Sequence, residues 1–218
     1  MRVSELSRRA DVTVPTIKYY LREGLLAAGE KSGANQADYD DGHLTRLRLI
    51  RSLLEVGGLS VASARAVLAA LDDEGLAVGY VFEVASHALP VTVPPPASAI
   101  TPGVRRVDEV IAARGWHVSR ENAGRAIAAR VLDDYAALGR ADLAANVDAY
   151  AEAAELVARA DLDAVAAATT RAAMTETVVV GTVLGDALFV GLRRAAHEDA
   201  AMRRFPPPPA PDSEETRS

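Results

Sequence analysis

Hydrophobic residues recur at helical spacing through the first 71 positions, broken by short polar intervals. Ser4 to Ala10 reads as a short helix, with Leu6 inward and Ser4 as its cap. Asp11-Val12 is a turn. Thr13 is placed to cap a second helix. Pro15 falls in its first turn, where a missing N–H costs nothing, and Gly24 stops it. Ile17, Tyr20 and Leu21 repeat at i, i+3, i+4, an inward stripe that leaves Thr16, Lys18, Tyr19 and Arg22 toward solvent or a partner. Between Glu30 and Tyr39, Gly33 and Asn35 offer turn chemistry, and their flanks are expected to pair as a hairpin. Asp40 or Asp41 opens a third helix through Val56, with Leu44, Leu47, Ile50, Leu53 and Leu54 on one face, and Gly57-Gly58 ends it. Ser60 caps a fourth helix from Val61 to about Leu71. Two short helices across a tight turn form a helix-turn-helix, whose second helix is shaped to enter a major groove; the hairpin is then a wing.

Behind this head the pattern changes. Asp72 to Leu89 is a candidate helix, weakened by Gly75 and Gly79 and limited by Pro90. Val91 to Gly103, with Pro94-Pro95-Pro96 and Pro102, reads as a stiff linker. Helices are predicted at 104–114, 119–138, 141–159, 161–173 and 175–203, with Ser119 and Asp161 as caps and Gly139 as a stop. Thr177 to Leu192 is apolar on nearly every side, the pattern of a buried helix, and Gly181, Gly185 and Gly191 would admit a close neighbour. Its one charge is Asp186, read as an ion pair with an arginine or as a polar contact inside a ligand pocket. The expected fold is mostly α: a winged helix-turn-helix head with a small β wing, plus a C-terminal all-α helical bundle. The expected division is 1–71 (DNA-binding head), 72–90 (short connecting or dimerisation helix), 91–103 (linker), 104–205 (effector and dimerisation domain) and 206–218. That last segment, Pro206 to Pro209 and a Ser/Glu run, is expected to be disordered.

Charge sharpens this division. The net charge is −6, yet residues 1–71 hold ten Lys/Arg against eight Asp/Glu and the remainder fourteen against twenty-two. A slightly basic front and an acidic rear suggest two jobs in one chain. There is no cysteine, which removes disulfides, thiolate metal sites and thiol redox sensing. His43, His87, His117 and His197 are scattered without ligand spacing, so neither a metal nor a cofactor is expected. His43 is read as a surface residue. No N-terminal apolar run marks a signal peptide, and Val178 to Leu192 is short for a bilayer, so a cytoplasmic protein is expected, nucleoid-associated through the DNA-binding head. No nucleophile, zinc-protease or phosphate-loop motif appears, so an enzyme is not expected.

The residues Val3-Ser4-Glu5-Leu6, Val12-Thr13-Val14, Thr16-Ile17-Lys18-Tyr19-Tyr20, Arg22-Glu23-Gly24-Leu25-Leu26, Tyr39, Leu47-Arg48-Leu49-Ile50 and Gly58-Leu59-Ser60 together resemble the MerR family of bacterial transcription regulators. The resemblance covers about the first third of the chain. It implies a homodimer bending a near-palindromic promoter operator of double-stranded DNA, with RNA polymerase as a further partner. The spacer between the −35 and −10 elements would be too long, and deformation of the DNA would correct it. It implies DNA contacts from Thr13, Thr16, Lys18, Tyr19, Tyr20 and Arg22, from Lys31, Gln36 and Tyr39 in the wing, and from Arg48 and Ser60. Two positions depart from the family. Leu21 stands where an acidic residue is usual after the tyrosine pair. Gln36 stands where the wing usually has arginine, which leaves Lys31 as the wing's cation.

In the rear half Trp116, Tyr135, Tyr150 and Asp186 are candidate ligand-binding residues; a core role for Trp116 is the commoner alternative. An organic effector, a protein partner and no effector at all stay open, as do an architectural or recombination accessory role and, less favoured, a small enzyme with a regulatory head. Pro90 cuts short the helix that pairs the family's dimers, so the apolar helix around Val178 to Leu192 is expected to carry much of the self-association.

Overall fold

A computed structural model describes residues 1–33, 36–90 and 100–205. The elements in chain order are α1 (Val3–Ala10), α2 (Val14–Arg22), β1 (Glu30–Gly33), β2 (Gln36–Asp38), α3 (Asp41–Arg51), a π-helical turn (Ser52–Val56), α4 (Val61–Asp72), α5 (Val78–Ala88), α6 (Pro102–Ala113), α7 (Ala123–Ala137), α8 (Ala141–Ala144), α9 (Val147–Ala166) and α10 (Arg171–Arg204). Asn35, most of the proline-rich linker and the tail from Pro206 lie outside the described residues.

The head follows the local signals closely. The Thr13 side chain accepts the Thr16 N–H at the start of α2, and Asp40 and Ser60 cap α3 and α4 in the same way. Gly24 has φ +71. Leu25 N–H donates to the Tyr20 carbonyl and Gly24 N–H to the Leu21 carbonyl, which satisfies the last free carbonyls of α2. β1 and β2 pair antiparallel, Lys31 opposite Ala37. Leu6, Ile17, Leu25, Leu47, Ile50, Leu53 and Val67 are all fully buried in one cluster.

Several boundaries differ from expectation. α1 begins at Val3 with Arg2, not Ser4, at its cap position. The third helix ends at Arg51, and the chain to Val56 is a π-helical turn. Asn122 rather than Ser119 caps α7. Asp161 lies inside α9, which runs unbroken to Ala166, because alanine-rich flanks let the helix pass a residue that only permits a start.

The rear half holds two arrangements. α6 and α7 share a small cluster of Val104, Val107, Ala129 and Leu132. A Cβ on Gly103 would collide with the Ala129 carbonyl, and Gly103 N–H donates to Asp133 Oδ1 at 2.7 Å, so these helices touch backbone to backbone. α9 and α10 form a long hairpin. The first half of α10 returns to the head: Val178, Val179 and Val183 are fully buried with Val81 of α5 and Val67 and Leu68 of α4. A Cβ on Gly57 would collide with Val183, so the glycine after the π-helical turn is the seat of α10.

The second half of α10 overturns the expectation of a buried helix. Leu188, Phe189, Val190 and Leu192 are exposed by 64%, 38%, 45% and 61%. Nothing lies within 4 Å of a Cβ added at Gly181, Gly185 or Gly191. By length and composition α10 would reach across a bilayer, longer than the apolar run within it suggests, but its first half is packed against the head.

Candidate nucleic-acid interface

α2 presents a polar outer face. Lys18 and Arg22 are exposed, and Thr13 and Thr16 sit at the helix start with hydroxyls 2.8 Å apart. Tyr19 is half-buried; the Arg22 guanidinium lies over its ring, 5.3 Å from the centroid. Tyr20 and Tyr39 are 7% and 8% exposed, so their rings belong to the core and only an edge reaches the surface. Burial, followed by the Glu55 carboxylate, raises the Tyr20 phenol above its ordinary pKa. Tyr39 N–H donates to the Met1 carbonyl at 2.8 Å, and the Met1 ammonium donates to the Tyr39 carbonyl, which ties the wing to the chain start.

Lys31 and Gln36 lie exposed on the wing. Arg48 is exposed on α3. Lys18, Lys31 and Arg48 make no ion pair among the described residues. Ser60 accepts the Ser63 N–H at 3.0 Å and donates to Ser63 Oγ at 2.9 Å, so its hydroxyl is engaged as a cap.

The other head arginines do structural tasks that residue spacing did not reveal. Arg51 Nη1 donates to the Ala10 and Asp11 carbonyls at 3.2 and 3.1 Å, and its Nε and Nη2 hold Glu55 at 3.2 Å. Asp11 has φ +53, so this arginine secures a left-handed turn between the two helices of the motif. Arg65 of α4 donates to the Glu23 carbonyl and carboxylate at 2.8 Å each, gripping the C-terminal end of α2. Arg46 donates to the Leu25 carbonyl at 3.1 Å and pairs with both oxygens of Asp72 at 2.8 and 2.6 Å. Arg2 donates to Ser32 at 2.7 Å, bracing the wing. A repeat of arginines on α3 is the only trace of this in the sequence, and it does not separate clamps from free cations. His43 is half-buried rather than a surface residue. It completes a reciprocal cap with Asp40, and its Nε2 is buried without a partner.

The four rear candidates fall in separate places. Trp116 Nε1 donates to Glu155 at 2.7 Å beside an open cavity of about 820 Å³ that Leu162 also lines. Tyr135 packs on the α6–α7 cluster. Tyr150 accepts from Arg193 at 2.7 Å in a groove of about 540 Å³ between α9 and α10, with Phe189 and Leu192. Asp186 makes no ion pair or hydrogen bond among the described residues; burial and the nearby Asp161 carboxylate raise its pKa.

A capped recognition helix, a two-stranded wing and unpaired cations on one head define a helix-turn-helix DNA-binding transcription regulator. A family model for MerR helix-turn-helix regulatory proteins matches residues 1–71. The nodulation protein NolA of Bradyrhizobium elkanii is 39% identical over 56 residues, 26% of this chain and 26% of its own length, so the match spans about a quarter of that relative. The crystal structure of a candidate transcriptional regulator, SCO5550 of Streptomyces coelicolor A3(2), is similar with a TM-score of 0.66 and 37% identity, over 94% of this chain and 98% of the other. The chain belongs to the MerR family.

Proposed function

We propose that this regulator binds a near-palindromic promoter site as a homodimer in the cytoplasm and acts on RNA polymerase there by deforming the promoter spacer. Residues 1–71 bind DNA; residues 104–205 hold the copies together and take up an organic effector where one is used. Thr13, Thr16 and Lys18 face base edges. Tyr19, Arg22, Lys31, Gln36, Arg48 and Ser60 face the backbone, with Tyr20 and Tyr39 holding helix and wing from behind. The observation that carries this reading is the sorting of cations. Seven of the head's arginines are engaged in ion pairs, clamps or ring stacking, while among the described residues Lys18, Lys31 and Arg48 are left exposed and unpaired. Unpaired surface cations are what phosphate neutralisation requires.

Fluorescence anisotropy on DNA selected from random sequence tests this. Lys18→Ala is expected to cost ~1–3 kcal/mol on the selected site and to relax sequence choice. Lys31→Ala and Arg48→Ala should weaken all sequences alike, each lowering the salt slope by about one. Unchanged binding in all three variants overturns the assignment.

A further inference from the structure

We infer that the exposed second half of α10 is the seam between two copies of the chain, paired antiparallel about a two-fold axis near Val190. This inference rests on the proposed dimeric reading and specifies the surface that makes it.

The surface is a continuation of a buried one. Residues three and four apart share a helix face, so Val179, Val183, Asp186, Val190 and Arg194 follow one another along α10. The first two are fully buried against the head. Asp186 lies near Asp161 of α9, and beyond it the same face opens to solvent, with Val190 45% exposed. α9 flanks it to one side, across the groove that holds Phe189 and Leu192.

The charges select the occupant and its direction. Asp186 and Arg194 make no ion pair among the described residues. They stand eight residues apart, about 12 Å along the helix, too far to meet within one chain. In a parallel pair each would face its own copy and repel it. In an antiparallel pair centred on Val190, Asp186 of each copy lies opposite Arg194 of the other, and the two contacts are equivalent by symmetry. On α5 the outer side carries Tyr80, 51% exposed, but no long apolar run, and its inward side is already covered. Its inward residues Val81 and Ala85 are fully buried, and the first half of α10 from the same chain packs there. The antiparallel pair also sets the two docking points at Val179 about 33 Å apart. Half-sites one helical turn apart are separated by about 34–36 Å, so two heads carried at this span are compatible with one operator.

The absence of cysteine makes the test direct, since any disulfide formed by a single-cysteine variant joins two copies. Full-length Val190→Cys is expected to crosslink to dimer under mild oxidation. Leu188→Cys, more exposed than Val190 but on the opposite side of the helix, is expected to stay uncrosslinked. In sedimentation, Asp186→Arg and Arg194→Asp should each weaken the dimer at least tenfold, and the double variant should recover to within a few-fold of the parent. Recovery also shows that the single variants were folded. Crosslinking through Leu188→Cys instead of Val190→Cys, or a double variant no better than the singles, overturns the seam. If sedimentation shows a dimer that Val190→Cys fails to trap, the seam is wrong and the dimeric reading stands. A chain that is monomeric at every concentration overturns both.

Discussion

The two halves of α10 have similar apolar composition and opposite surroundings. Val178, Val179 and Val183 are fully buried, while Leu188, Val190 and Leu192 are about half to two-thirds exposed. The head encloses its hydrophobic residues behind caps and arginine clamps; the α9–α10 hairpin leaves comparable residues in solvent. Hydrophobicity therefore says how much surface must be covered, but not by what. In the first half the cover is the chain's own α4 and α5, and in the second half α9 flanks one side while the rest is left to solvent.

The largest effect expected from this contrast comes from one substitution made at two positions. Val183→Asp places an unpaired carboxylate in the shared core and should cost ~3–5 kcal/mol of unfolding free energy. Val190→Asp, on the same face, should stay within ~0.5 kcal/mol of the parent at protein concentrations where the chain is monomeric. Urea denaturation of both variants reads the difference, and equal losses would break the comparison.

Truncation should show a similar split at smaller scale. Leu47→Ala leaves a cavity in the head and is expected to cost ~2–4 kcal/mol. Leu192→Ala removes atoms that already face water and should leave the monomer's melting temperature nearly unchanged.

Glycines should respond with opposite signs. Gly24→Ala forces a side chain into the left-handed stop of α2 and should destabilise by ~1 kcal/mol. Gly185→Ala meets nothing within 4 Å of its added Cβ and should stabilise the monomer by a similar ~1 kcal/mol through helix propensity. Thermal unfolding distinguishes the two signs.

The smallest effect concerns Asp186. Its folded pKa is raised by burial and by Asp161, so the fold favours the protonated form. The stabilising contribution is present below the ordinary aspartate pKa and is lost as pH rises through the folded value. Asp186→Asn should therefore make the monomer slightly more stable than the parent at neutral pH, an advantage that vanishes toward pH ~3. An advantage of the same size at both pH values would assign it to something other than titration.

What the sequence alone determined was the local grammar of the head. Thr13, Asp40 and Ser60 cap where expected, Gly24 stops α2, and the wing pairs across 30–38, because each feature depends on residues within a few positions of one another. The family resemblance was legible for the same reason, since its motifs are short and contiguous. Tertiary structure alone decided which arginines clamp and which stay free, because Arg65 meets Glu23 and Arg51 meets Ala10 across about forty residues. It also separated Trp116, Tyr135, Tyr150 and Asp186, and split α10 into a covered and an uncovered half. Helical period records which residues share a face, whereas the neighbour that face meets depends on the path of the whole chain.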